Sequence, residues 1–86
     1  MNTKVHQVLG KDRINSICDS FLLTEEDKKM VDVILENWEN LIGNPIKKMA
    51  IAMEITKDVG VSTTKKIIFA ITEISFQFLE MQIKNK

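Results

Sequence analysis

The sequence predicts an all-α protein, a small bundle of four to five helices that ends in a long C-terminal helix. Apolar residues recur at intervals of three and four in successive segments, the spacing that places side chains on one face of a helix. The single proline and the three glycines lie at the ends of these segments, where helices start and stop. Eighty-six residues suffice for one hydrophobic core, so we expect a single all-helical domain over residues 1–86.

The N-terminal segment is predicted to form either one helix with a break or two short helices. Ile14, Ile17, Cys18 and Phe21 follow the i, i+3, i+4, i+7 pattern of one helix face. A shorter apolar stretch precedes Gly10, a residue type that interrupts helices. Whether the bundle has four or five helices therefore depends on Gly10.

The next segment is predicted to be a helix that starts at Thr24 and stops at Gly43. The Thr24 hydroxyl can accept a hydrogen bond from a free amide of the first turn, and the three acids at 25–27 suit the positive end of the helix dipole. The apolar face of this helix is Met30, Ile34, Trp38 and Leu41.

Asn44 and Pro45 predict the start of a third helix, with an asparagine cap followed by a proline whose missing N–H does no harm there. Gly60 is predicted to stop this helix, with Val61 in the apolar contact that often accompanies a glycine cap. The predicted core stripe of the third helix is Ile46, Met49, Ala50 and Met53.

The last helix is predicted to run from about Thr63 to Ile83, with Ser62 as its cap. Its core face is Ile67, Ile71, Ile74, Phe78 and Met81, with Ile68, Ser75 and Leu79 beside it. The short turns between the helices imply that neighbouring helices are antiparallel or cross obliquely.

A second apolar line on the last helix bears on function. Phe69, Phe76 and Ile83 recur every seven residues on the side roughly opposite the core face. Either the shorter helices wrap this side, or it is left exposed and is buried by another protein or by a second copy. In the second case these three residues would be partner-binding, and Lys65 and Lys66 could steer the approach of the partner.

Charge is divided unevenly along a chain whose formal net charge is zero. Residues 1–43 hold five basic and eight acidic groups, and residues 44–86 hold seven basic and four acidic groups. Lysine pairs lie in the first turns of the third and fourth predicted helices, where they oppose the helix dipole. These pairs are Lys47 with Lys48 and Lys65 with Lys66. A solvated face and a surface that recognises an acidic partner or phosphate both fit this pattern.

The segment from Asp58 to Thr64 resembles the turn and recognition-helix start of bacterial helix-turn-helix repressors, so a DNA-binding transcriptional regulator is the alternative function. The side chains that would face a groove are Thr63, Thr64, Lys65 and Lys66. Thr56 stands where such motifs place a small residue, and Lys66 where they place an apolar one. The neutral total charge also argues against nucleic acid as a partner.

No pattern of catalytic residues is present, and we expect a protein that is not an enzyme and needs no metal or other cofactor. The lone His6 lacks the spacing of a metal site and is expected to be solvated near the terminus. Cys18 lies on an apolar stripe and is expected to be a buried small hydrophobe. A single cysteine, with neither a secretory signal nor an apolar run of transmembrane length, favours the cytoplasm without membrane insertion.

Two runs underlie a family resemblance, Val8–Ile14 (VLGKDRI) and Ile34–Leu41 (ILENWENL). With the length and helical pattern of the chain, they resemble the lysis-inhibition accessory proteins of T-even bacteriophages, which are cytoplasmic antiholins. The resemblance implies binding to the cytoplasmic segment of a holin, which delays pore formation in the host cell. It carries over no site residues.

The leading hypothesis is therefore a small regulatory protein that acts by protein–protein binding and makes or breaks no bond. A self-associating structural bundle is a third class that the same apolar face would permit.

Overall fold

The computed structural model describes residues 3–38 and 44–84. Within them the chain forms five α-helices and no strand, which confirms the all-α bundle with a long C-terminal helix. The helices are α1 (Lys4–Leu9), α2 (Lys11–Ser20), α3 (Glu25–Trp38), α4 (Pro45–Ile55) and α5 (Val61–Lys84).

Gly10 divides the N-terminal segment into two helices. Its φ angle of 85° lies in the region that glycine adopts without a steric penalty. Its N–H donates to the His6 carbonyl at 3.0 Å, and its own carbonyl accepts from the Ile14 amide at 3.2 Å. The chain therefore leaves α1 and enters α2 at a single residue.

Local capping starts α3 as the sequence predicts. Thr24 Oγ1 accepts from the Asp27 amide at 3.2 Å, and Asp27 Oδ2 accepts from the Thr24 amide at 3.1 Å. This reciprocal pair satisfies two amides that the first turn would otherwise leave free. The predicted end at Gly43, and Leu41 of the predicted face, lie outside the described residues.

The start of α4 is also as predicted, but its buried face is not. Asn44 Oδ1 accepts from the Lys47 amide at 3.1 Å and caps the helix. The predicted stripe of Ile46, Met49, Ala50 and Met53 is exposed. The side that packs holds the fully buried Ala52. A helix of this bundle that packs mainly on one neighbour, here α3, can bury only one of its apolar sides.

The connection from α4 to α5 differs from the prediction at three residues. Gly60 has a φ of 90°, yet its carbonyl accepts from the Thr64 amide at 3.0 Å, so it precedes α5 instead of capping α4. Thr56 is the C-cap of α4. Val61, expected to make an apolar contact, is exposed, and Ser62 lies inside the helix that it was expected to cap.

The core forms where α5 packs against α1, α2 and α3. Arg13 Nη1 donates to Met81 Sδ at 3.4 Å near one end, and Phe21 contacts Phe69 nearer the other, so α2 runs antiparallel to α5. The buried apolar residues are Leu9, Ile14, Ile17, Cys18, Leu23, Val31, Ile34, Leu35, Ala52, Ile67, Ala70, Ile71 and Ile74. One face of α5 is thus the centre of the bundle.

Candidate protein-docking surface

The face of α5 opposite the core is exposed. Phe69, Phe76 and Ile83 expose 57%, 59% and 73% of their surface, whereas Ile67 and Ile74 on the core face are completely buried. Of the two arrangements that the sequence left open, the described helices do not wrap this side of α5. Three large apolar side chains therefore face outward along one helix.

Leu79 extends this exposed line, contrary to its expected place beside the core. It is 55% exposed and lies between Phe76 and Ile83. With Phe69, these residues recur at intervals of seven, three and four, which keeps them on one side of the helix. We call Phe69, Phe76, Leu79 and Ile83 the α5 ridge, and at 1.5 Å per residue it is about 21 Å long.

One end of the ridge is held by a neighbouring aromatic residue. The ring centroids of Phe21 and Phe69 lie 6.4 Å apart with the planes tilted by 30°. Phe21 is half-buried and follows the last residue of α2. This contact restricts the motion of Phe69, so a partner would immobilise a side chain that has already lost part of its freedom.

Leu22 lies beside this contact in the chain and has a backbone conformation that leucine rarely adopts. Its φ is 61°, and it is the only positive-φ residue other than glycine among the described residues. The Leu22 amide donates to the Asp19 carbonyl at 3.0 Å, and the Leu23 amide donates to the Cys18 carbonyl at 3.1 Å. These two bonds form a Schellman cap on α2, in which glycine is usual at the position of Leu22.

The Leu22 side chain is 76% exposed, so burial in the bundle does not offset this strain. A left-handed conformation at a residue with a β-carbon costs about 1–2 kcal/mol. Leu22 therefore combines a large exposed apolar side chain with a strained backbone, directly after the residue that contacts Phe69, and this is a second feature that points to a binding surface.

The two lysines that the sequence assigned to this surface lie at the N-terminal end of α5. Lys65 is exposed one turn before Phe69, and Lys66 is half-buried. The first turn of α5 contains no acidic residue. None of the ion pairs among the described residues involves Lys65 or Lys66. Both charges therefore remain available at one end of the ridge.

The helix-turn-helix alternative has little exposed surface on which to act. Thr63 and Thr64 are half-buried, and Thr64 Oγ1 donates to the Thr56 carbonyl at 3.2 Å. Of the four residues expected to face a groove, Lys65 alone is exposed rather than half-buried. The helix that would have to serve as the recognition helix, α5, is 24 residues long, and its Ile67, Ala70 and Ile71 are buried in the bundle.

A second exposed apolar surface was not anticipated from the sequence. Ile46, Met49 and Met53, here called the α4 face, lie on the side of α4 away from Ala52. Spacing alone predicted an apolar stripe here and placed it in the core. No local signal distinguishes a buried stripe from an exposed one, because the difference lies in where α3 packs.

His6 has a structural role, and the expectation that it is solvated is wrong. Its side chain is only 12% exposed, and Nε2 lies 2.8 Å from Asp32 Oδ1. Nδ1 contacts Thr3 Oγ1, which also accepts from the His6 amide at 3.1 Å. A histidine that donates to Asp32 and accepts from the Thr3 hydroxyl ties the start of α1 to α3.

Cys18 is buried, as expected. It is 1% exposed, and burial raises the pKa of its thiol from 9.0 to about 11. A thiol with this pKa is almost entirely protonated near neutral pH, and the thiolate is the nucleophilic form. Cys18 therefore serves packing.

Residues 3–38 and 44–84 contain neither a cluster of metal-ligating side chains nor a membrane-spanning helix. No three histidine, cysteine, aspartate or glutamate side chains in this part of the chain are grouped so that they could hold a metal ion. None of the helices described there combines the length and apolar character needed to cross a membrane.

Comparison with known proteins identified no relative. No protein-family model, no curated protein and no solved structure matches this chain.

Proposed function

We propose that this chain is a small regulatory protein that acts by binding another protein through the α5 ridge. The observation that carries this proposal is the exposure of Phe69, Phe76, Leu79 and Ile83 on one side of a helix whose opposite side packs in the core. A helix that only completed the bundle would need one apolar face, and α5 has two.

The size of the surface supports binding. Side chains of this size, exposed by more than half, contribute roughly 100 Å² each, so the ridge offers roughly 400 Å². An exposed apolar surface of this area is comparable to the largest apolar patch on a typical monomer, and such patches are often functional. Large aromatic residues are also the side chains on which binding energy tends to concentrate.

The charges at the end of the ridge favour a particular kind of partner. Lys65 and Lys66 precede the first ridge residue by one turn or less. An amphipathic helix that places apolar side chains on the ridge and acidic side chains near these lysines would match both features. The lysines would mainly accelerate encounter, and the ridge would supply most of the affinity.

In its most specific form, the proposal is that the chain is a cytoplasmic antiholin. The partner would then be the cytoplasmic segment of a holin, and occupancy of that segment would delay lysis. This form rests on the resemblance of Val8–Ile14 and Ile34–Leu41 to phage lysis-inhibition proteins.

The general proposal is tested by affinity capture from a lysate of the cells in which the gene is expressed. We expect the tagged protein to retain a specific protein, and the double variant F69S/F76S to stay folded and lose it. The variant M49S/M53S changes two exposed residues of the α4 face and should retain it. Equal retention by all three proteins would overturn the proposal.

The antiholin form is tested with a synthetic peptide of the holin cytoplasmic segment. We expect binding that F69S/F76S abolishes, and a delay of lysis on co-expression that the same variant removes. A wild-type protein that neither binds the peptide nor delays lysis would contradict this form. Retention on duplex DNA that K65A/K66A abolishes would instead support the DNA-binding alternative.

A further inference from the structure

We propose that the α5 ridge of the free protein pairs antiparallel with the ridge of a second copy to form a homodimer. This inference rests on the proposed function, because it takes the ridge to be a docking surface. It adds that a second copy of the chain covers the ridge before any target is bound.

The spacing of the ridge is that of a helix-pairing seam. Phe69, Thr72, Phe76, Leu79 and Ile83 recur at alternating intervals of three and four, the repeat that keeps side chains against a partner helix. Thr72 is exposed like its apolar neighbours. The seam continues for about four turns, which is long enough for two helices to lie along each other.

An antiparallel register accommodates the side chains of this seam. Centring the pair midway between Thr72 and Phe76 places Phe69 beside Leu79 of the second copy. It also places Phe76 beside Thr72 of the second copy. At these two positions a large side chain meets a smaller one, so the phenylalanines of the two copies do not meet each other. Ile83 lies beside Lys65 of the second copy, whose aliphatic stem can cover it while the ammonium group stays in water.

The charges beside the seam favour the antiparallel orientation. Lys66, Glu73 and Glu80 recur every seven residues along one edge. In the antiparallel register, Lys66 lies against Glu80 of the second copy, and this pair occurs twice. The single like-charge pair, Glu73 with Glu73, lies at the centre. Two attractive pairs therefore outnumber one repulsive pair.

A parallel pair would lack this complementarity. Each edge would then face the opposite edge of the second copy, where the residues at the same spacing are Ile68, Ser75 and Gln82. None of these is charged, so Lys66 and Glu80 would have no partner. The antiparallel pair also places the positive end of each helix dipole near the negative end of the other.

The exposed area indicates a reversible dimer. The four ridge side chains of two copies supply roughly 800 Å², and the flanking side chains add to this, which places the interface at the low end of specific interfaces. We therefore expect dissociation at micromolar concentrations, which would leave the ridge open to exchange a second copy for a target.

Sedimentation equilibrium over a wide concentration range tests this pairing with charge-reversal variants. We expect wild type to dimerise, and K66E and E80K each to weaken dimerisation about tenfold. A mixture of K66E with E80K should restore it. In the mixed pair the two introduced charges are opposite in sign and face each other, and the unchanged Glu80 of one copy faces the unchanged Lys66 of the other. K29E reverses the charge of an exposed α3 residue and should leave dimerisation unchanged.

The outcomes separate the pairing from the proposed function. A monomer at all concentrations, or a dimer whose strength is unaffected by the charge reversals, would overturn the antiparallel pairing. If that monomer still captured its partner through the ridge, the proposed function would stand without the dimer. If the dimer formed and ridge variants still captured the partner, the pairing would stand and the proposed function would fail. Because Lys66 is half-buried, E80K at an exposed position repeats the test without risk to the core.

Discussion

The Phe21 ring lies 6.4 Å from the Phe69 ring, tilted by 30°, and joins the end of α2 to the first residue of the exposed ridge on α5. This contact links two features that packing within the bundle does not explain. One is the row of exposed apolar side chains on α5, and the other is the strained, exposed Leu22 that follows Phe21.

Replacement of Leu22 by glycine should stabilise the fold. We expect Leu22→Gly to raise the free energy of unfolding by about 1 kcal/mol, because glycine adopts a φ of 61° without the steric penalty of a β-carbon. Leu22→Ala keeps the β-carbon and should give no such gain. Urea denaturation followed by circular dichroism measures both. A loss of stability in Leu22→Gly would mean that the leucine side chain supports the fold.

The His6 contact should contribute measurably to stability. His6→Ala removes the ring from Asp32 and the ring acceptor of the Thr3 hydroxyl, which keeps only the residue-6 amide as a partner, so we expect a loss of about 1–2 kcal/mol. Lys11→Ala, at an exposed position of α2, is the control and should change stability by less than about 0.5 kcal/mol. Equal stability of the two variants in thermal unfolding would show that the 2.8 Å contact between His6 and Asp32 is dispensable.

Trp38 should hold α4 on α3. Its indole N–H donates to the Lys48 carbonyl at 2.8 Å, and Lys48 Nζ lies 5.5 Å from the centre of its ring. Trp38→Phe removes that donor, and we expect a loss of about 1 kcal/mol. Because Ala52 is the one buried apolar residue of α4, we expect the substitution to increase the hydrogen-exchange rates of the α4 amides more than those of the α5 amides. A uniform increase over both helices would contradict a separately opening α4.

Stability should fall at alkaline pH because of Cys18. Burial raises the pKa of this thiol from 9.0 to about 11, so the unfolded chain loses the proton first. The contribution of the protonated thiol to the free energy of unfolding is fully present below pH 9. It declines as the pH rises towards 11, by at most about 1.4 kcal/mol per pH unit.

A cysteine-free variant isolates this effect. The pKa of Lys28 is raised from 10.5, chiefly by its hydrogen bond with Asp19, which also makes stability decline at high pH. Denaturation at several pH values should show that the free energy of unfolding declines less steeply with pH in Cys18→Ala than in wild type. The two slopes should differ by at most the equivalent of one proton. Identical slopes would show that the thiol does not titrate differently in the folded and unfolded chain.

Much of the fold could be predicted because its signals are local. The caps at Thr24 and Asn44 act within three residues of the helix start, so the sequence contains all that decides them. The two faces of α5 were also predictable, because a 24-residue helix repeats its pattern several times. Exposure of Phe69 and Phe76 could be stated only as an alternative, since it depends on where three other helices pack.

The remaining features depend on contacts that local patterns do not record. The partner of His6 is Asp32, 26 residues away. The buried side of α4 is chosen by α3, since the exposed stripe around Met49 and the packed side around Ala52 are both apolar. Nothing near Leu22 predicts a positive φ, because leucine rarely adopts one.

The most direct test of the central claim compares two phenylalanines that lie two residues apart on α5. Phe76 is 59% exposed, whereas Phe78 packs against the core. At concentrations where the chain is monomeric, we predict that Phe76→Ser changes the free energy of unfolding by less than about 0.5 kcal/mol, whereas Phe78→Ser lowers it by about 2–4 kcal/mol. A loss in Phe76→Ser as large as that in Phe78→Ser would place the Phe76 ring in the core and contradict a docking ridge on α5.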